Sequence, residues 1–296
     1  MDFSKGITIA LGGGGAKGNA HIGVLRILER EGFQIKGIAG TSFGGMVAIF
    51  YALGYSPDEI EELFSSFDQS HMYGHRAGDE PSLLGMDGGI TWLEAQLGGK
   101  TFSDLKLPCV VTATDLKSGS EIILSDGSLV ESILATSAIP GIFPVRRLGE
   151  WELVDGGVLD PVPVAPARSL APRLPVVAVT LNEPIGLPAQ PWIVPVPGFV
   201  PRYIVERISR SRIARAVDVI LRSYDIVGRA MAYNRLQVDQ PAIIVRPAVS
   251  DIDVLMKVDV HTVALRGEAA MEAILPDLRN VLAWQNRLRR AIGMGA

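Results

Sequence analysis

The chain has little of what usually supplies covalent staples and proton relays: one cysteine and four histidines in 296 residues. A lone cysteine, Cys109, cannot close an intrachain disulfide, and its setting in Pro108-Cys109-Val110-Val111 reads as a buried strand position, not a reactive thiol. A reducing compartment follows. Positive charge is also short: 28 basic against 32 acidic residues leave a net charge of −4, so no global basic field points to a nucleic-acid partner. No run of about 18 uninterrupted apolar residues occurs, and Met1 to Leu11 holds no basic segment followed by a long apolar one. Neither a signal peptide nor a membrane span is expected. The localisation read from this is cytoplasmic, with peripheral contact at a membrane left open.

What is present is apolar and glycine-rich. A hydrophobic share of 48% with 20% charged residues excludes a disordered chain, and the length allows one large or two unequal domains with a real core. Glycine contributes 32 residues, concentrated in Gly12-Gly13-Gly14-Gly15-Ala16-Lys17-Gly18 directly after the apolar run Ile7 to Leu11. This reads as a strand and a tight loop, and Ala20, Val24, Ile27 and Leu28 then recur at helical spacing. A second such unit follows at once, with Gly37-Ile38-Ala39 leading through Gly40-Thr41-Ser42-Phe43-Gly44-Gly45 into an apolar helix. Two consecutive units of this kind imply a parallel sheet. Ser56-Pro57-Asp58-Glu59 carries a capping box for a further helix, whereas residues 68–87 show no periodicity and read as a mobile surface segment. Further strands are expected at 109–113, 121–124, 176–181 and 242–245. A hairpin over 145–154 delivers Asp155-Gly156-Gly157 at its end.

Gly40-Thr41-Ser42-Phe43-Gly44 fits G-x-S-x-G between a strand and a helix, where a serine on a sharp turn needs flanking glycines to stand clear. Read alone it is equally a helix N-cap serine. The glycine loop offers free backbone N–H groups at a helix start, which suits an oxyanion hole or a phosphate cradle; Gly13-x-Gly15-x-x-Gly18 also has dinucleotide-binding spacing. A P-loop is disfavoured because Gly18 follows Lys17. None of His21, His71, His75 and His261 lies where a hydrolase triad would place its base. His21 reads as a packing residue, and His71 and His75 lack a third ligand for zinc. Asp155, after a buried strand and before two glycines, is the better base, while Asp87-Gly88-Gly89 has no strand before it.

Together, the segments Leu11 to Leu25, Gly40 to Gly44 and Ala138 to Pro163 resemble those of the patatin-like phospholipases, in particular the bacterial and neuropathy-target-esterase-like branch, over about residues 7–182. The resemblance implies a three-layer α/β/α fold with a mainly parallel central sheet and hydrolysis of lipid esters by a Ser-Asp dyad without histidine. On it, Ser42 is the nucleophile, Asp155 the base, and the amides of Gly13, Gly14 and Gly15 the oxyanion hole. Lys17, Gly18, Gly40, Gly44, Gly156 and Gly157 complete the motifs. The substrate it implies is a phospholipid or lysophospholipid. No metal or cofactor is called for. The alternatives are a non-catalytic regulatory protein on the same fold and, against an expected acid where Gly40-Thr41-Ser42 stands, a nucleotide-binding oxidoreductase.

The chain reads as a single domain: a catalytic core over about 5–182, a connector over 183–201 and a helical C-terminal extension over 202–296. Six prolines between Glu183 and Pro201 forbid a helix or central strand there. Trp192 and Phe199, followed by Arg202, Arg207, Arg210, Arg212 and Arg215, could touch an anionic membrane; the same residues also suit a connector packed on the core. A homo-oligomer is compatible with the apolar positions that follow. One or two terminal helices are expected over 262–290, interrupted near Pro276.

Overall fold

The computed structural model describes residues 5–187, 192 and 212–283. Its centre is an eight-stranded sheet in the order β5-β6-β3-β2-β1-β7-β8, with β4 also paired to β3. The strands are β1 (Gly6–Leu11), β2 (Gln34–Thr41), β3 (Cys109–Asp115), β4 (Glu121–Leu124), β5 (Arg146–Leu148), β6 (Trp151–Asp155), β7 (Val176–Val179) and β8 (Ile243–Val245). Pairings among β3, β2, β1, β7 and β8 are parallel, while β4 and β6 run antiparallel to β3. Every residue of β1, β3 and β7 is buried. Continuous apolar composition is what a parallel strand covered on both faces requires.

Eight helices flank the sheet among the described residues: α1 (Ala20–Arg30), α2 (Phe43–Ala52), α3 (Pro57–Ser66), α4 (Asp87–Leu97), α5 (Leu129–Thr136), α6 (Val164–Leu170), α7 (Arg212–Asp239) and α8 (Val260–Leu282). Alternation along the strands separates two cores. Ile9, Leu11, Ile38 and Val111 pack with α1, α2, α5 and α8, whereas Ala10, Ala39, Val110 and Ala178 meet Val164 and Ala167 of α6 and Ala232 and Leu236 of α7. The small residues on the second face let α6 lie close to the sheet. The result is a three-layer α/β/α fold whose sheet is mainly parallel.

Local chemistry explains several boundaries. Ser56 caps α3 through the expected box, its Oγ accepting from the Glu59 N–H at 3.2 Å while the Glu59 carboxylate accepts from the Ser56 N–H at 2.7 Å. The α1–α8 contact depends on glycine: a Cβ at Gly23 would strike the Ala264 carbonyl, and one at Gly267 the Ala20 carbonyl. Arg26 reinforces it by pairing with Asp58, Glu61 and Glu268 on α3 and α8.

Two expectations change. Pro276 does not interrupt the last helix, since α8 runs through it from Val260 to Leu282. Asp87-Gly88-Gly89 opens α4, because a glycine at 88 admits the His71 carbonyl at close range. The preceding segment is pinned to this helix by Arg76, which pairs with Asp87 and Glu94, and Tyr73 and Leu84 join an apolar cluster. Beyond residue 182 the extension holds the strand expected at 242–245, now β8, between α7 and α8. Most of the connector, including Phe199, and residues 202–211 and 284–296 lie outside the described residues.

Candidate active site

The site forms where β1, β2 and β6 end. β2 stops at Thr41, and Ser42 turns the chain into α2 with φ 56° and ψ −128°. For a residue with a side chain this is strained, at a cost of about 1–3 kcal/mol, and the surroundings hold it there. The Ser42 N–H donates to Thr136 Oγ1 at 2.8 Å. Thr41 Oγ1 lies 2.7 Å from Thr112 Oγ1 and donates to the Asp160 carbonyl at 2.9 Å, which ties the turn to β3 and to the chain after β6. Glycine makes the turn sterically feasible: a Cβ at Gly40 would meet the backbone of Gly44 and Gly45, and one at Gly44 the Leu11 carbonyl.

β6 brings Asp155 to the same place. The Asp155 N–H donates to the Ala138 carbonyl at 2.9 Å, and Oδ1 accepts from the Gly157 N–H at 2.7 Å. The Ser42 side chain acts on the same carboxylate, favouring its charged form. Burial pushes the Asp155 carboxyl up to about 6, against the opposing pull of the Ser42 side chain and the Gly157 N–H. A carboxylate in this environment is a stronger proton acceptor than one in water. Gly156 packs against Thr112, with no room for a Cβ.

The glycine loop lies alongside Ser42. A Cβ built on Gly13 would fall 3.2 Å from Ser42 Cβ. The three loop amides differ. The Gly13 N–H is engaged by the Pro161 carbonyl at 3.0 Å, so it is not available to a ligand. Those of Gly14 and Gly15 have no acceptor among the described residues, and Phe43, the first residue of α2, has an N–H with no intrahelical partner. Gly15 sits at φ 56° with the Val254 carbonyl where a Cβ would stand, and its neighbour Ala16 donates to that carbonyl at 2.9 Å. Gly18 is pressed against the Phe43 ring. Lys17 is buried; loss of solvent lowers its pKa, and the charges of Asp225, Glu183 and Asp253 oppose the shift.

The described histidines are engaged away from Ser42 and Asp155. His21 is fully buried, its Nε2 is 2.7 Å from the Gly12 carbonyl, and burial lowers its pKa to about 4, so it stays neutral and braces the loop. His71 pairs with Asp68 and His261 with Glu61, both at the surface. Among the described residues no cluster of His, Cys, Asp and Glu could hold a metal ion.

Ser42, Asp155, Gly13, Gly14, Gly15 and Gly157 line one cleft, together with residues that the sequence did not single out for the site: Asn182, Tyr224, Asp225 and Val254. Tyr224 comes from α7, and burial and the Asp155 charge both raise its pKa. Trp192 lines the cleft too. Its ring stands edge-on to Tyr224, with centroids 6.1 Å apart and planes at 80°, so it packs inward.

Comparison with known proteins bears on the family and the fold. The model of the patatin-like phospholipase family matches residues 9–168. An NTE family protein of Mycobacterium tuberculosis is 36% identical over 194 residues, covering 63% of this chain and 52% of that protein. A second from the same organism is 28% identical over 290 residues, covering 93% and 48%. The chain thus spans about half the length of these relatives. Lysophospholipase NTE1 of Saccharomyces cerevisiae is 28% identical over 179 residues, which is 56% of this chain and 10% of that protein. Among solved structures, VipD from Legionella pneumophila superposes with a TM-score of 0.52 at 14% identity, covering 92% of this chain and 66% of VipD, a likeness of fold. With the matched region holding the glycine loop, Ser42 and Asp155, the chain belongs to the patatin-like phospholipase family.

Proposed function

We propose that the protein is a serine acyl hydrolase that cleaves carboxylic esters of phospholipids or lysophospholipids through an acyl-enzyme. One observation carries the reading: a strained Ser42 that shares one cleft with the buried carboxyl of Asp155, whose pKa is raised. Ser42 Oγ attacks the ester carbonyl while its proton passes to Asp155. The amides of Gly14, Gly15 and Phe43 hold the oxyanion, each good donor contributing about 3 kcal/mol. Collapse of the tetrahedral intermediate expels the alcohol, which takes the proton from Asp155 and leaves an acyl-Ser42 ester. Water then attacks that ester, giving its proton to Asp155, and the acid product leaves as the proton returns to Ser42. Ile139, Val254, Trp192 and Tyr224 give the cleft an apolar wall suited to an acyl chain.

Turnover of a soluble short-chain ester and of lysophospholipid in detergent micelles tests the reading. Ser42→Ala and Asp155→Asn should each lose about three or more orders of magnitude in kcat with the fold intact. A Ser42→Ala protein with parental turnover overturns it.

A further inference from the structure

α7 has two apolar faces. Leu221, Ala232 and Leu236 are buried, and Tyr224 enters the cleft, so this side of the helix is committed. On the other side Val219, Ile220, Ile226, Val227 and Tyr233 are exposed, Ile220 at 64%. Their spacing of i, i+1, i+7, i+8 and i+14 puts them on one stripe of a helix with 3.6 residues per turn. A contiguous run of large side chains left in water is unusual on a monomer and marks a contact surface.

Charge indicates what it contacts. Exposed residues of α7 from 212 to 238 include Arg212, Arg215 and Arg222 and no carboxylate, although the whole chain is net −4. The acid nearest the stripe, Asp218, pairs with Arg222 at 2.5 Å and balances that one charge, leaving Arg212 and Arg215. An apolar stripe with arginines towards one end has the composition of a helix that lies in a bilayer interface. Among the described residues no helix is long and apolar enough to cross a membrane, so the contact is one that lies on the surface.

We propose that the outer face of α7 docks on an anionic lipid surface, with Val219, Ile220, Ile226, Val227 and Tyr233 entering the headgroup region and Arg212, Arg215 and Arg222 meeting lipid phosphates. The choice of lipid rests on the reading of the site as a lipid hydrolase, because the opposite face of the same helix lines that site. One helix diameter, about 10 Å, then separates the bilayer contact from the catalytic cleft. Trp192, packed against Tyr224, belongs to the cleft and not to this surface.

Co-sedimentation of the full chain with vesicles of phosphatidylcholine alone, or of phosphatidylcholine with phosphatidylglycerol, tests the proposal. The parent should bind the mixed vesicles, and added salt should weaken the binding. The triple variant Ile220→Ser, Ile226→Ser, Val227→Ser should bind them about tenfold or more weakly, a loss of about 1.4 kcal/mol, with soluble-ester turnover unchanged. That turnover also shows the variant is folded. Equal vesicle binding by parent and triple variant overturns the proposal, as does a parent that ignores anionic vesicles. So does a parent dimer in light scattering that the variant converts to monomer without any vesicle binding, since a second copy then occupies the face. Ser42→Ala separates the two readings: failure of the hydrolase reading shows as retained turnover in that variant, failure of the docking reading as absent vesicle binding by a parent that turns over ester.

Discussion

Asp155→Asn should yield a protein that is inactive yet more stable than the parent at neutral pH. Burial raises the Asp155 carboxyl from its ordinary 3.8 to about 6. A raised carboxyl pKa means the folded state holds the proton more tightly than the unfolded one. Stability from this group is therefore fullest below about pH 4, declines as pH rises to about 6, and stays reduced above that. Two pKa units correspond to about 3 kcal/mol. Asparagine keeps an acceptor for the Gly157 N–H, now at 2.7 Å from Oδ1, and brings no charge to desolvate. Its amide N–H2 replaces an oxygen that can accept from Ser42, a partial loss that reduces the net gain to about 1–2 kcal/mol. Urea unfolding of both proteins at about pH 7.5 and about pH 4.5 reads this directly, with the advantage of the variant shrinking towards zero at the lower pH. A variant less stable than the parent at neutral pH, or a difference independent of pH, refutes the claim that Asp155 is a desolvated carboxylate held at a cost to stability for the sake of its basicity.

Other consequences can be checked separately. Because Asp155 must be ionised to accept a proton, kcat/KM for a soluble ester should rise tenfold per pH unit below about 6 and level off above it; an ascending midpoint near 4 would contradict the burial effect. Asp160 is fully buried with neither carboxylate oxygen hydrogen-bonded among the described residues, and burial together with the charge of Glu121 raises its pKa. Folding stability of the parent should therefore fall as pH climbs above about 4 towards that raised pKa, and Asp160→Asn should gain on it over the same range in urea melts; parallel curves would count against this. Gly44→Ala places a methyl group against the Leu11 and Gly12 carbonyls, so it should cost about 2 kcal/mol or more and lower the melting temperature, with Gly141→Ala, which meets nothing within 4 Å but has φ 76°, costing about 1 kcal/mol.

The parts of the molecule legible in the sequence are those encoded by neighbours. The Ile7 to Leu11 run, the serine turn and the Asp155-Gly156-Gly157 end of a hairpin are each written in fewer than twenty consecutive residues, because strand, turn and cap preferences act over that range. Ser42 and Asp155 are therefore legible as candidates in the sequence itself. The state of each loop amide was not, since the Pro161 carbonyl that engages Gly13 approaches through the fold. Tyr224 and Val254 reach the cleft from the far side of the connector and carry no local motif. The outer stripe of α7 is not legible in the sequence, because periodicity reveals that a helix has apolar sides but not which side is left exposed. Pro276 misled for a related reason: tertiary packing of α8 on α1 outweighs the local penalty of a proline within it.

Covalent labelling tests the central claim most directly. The account predicts that a fluorophosphonate ester modifies the parent protein once, that the adduct maps by peptide mass spectrometry to Ser42, and that labelling is lost in Ser42→Ala and much slower in Asp155→Asn. A parent protein that resists the reagent, or an adduct on any other residue, would contradict it.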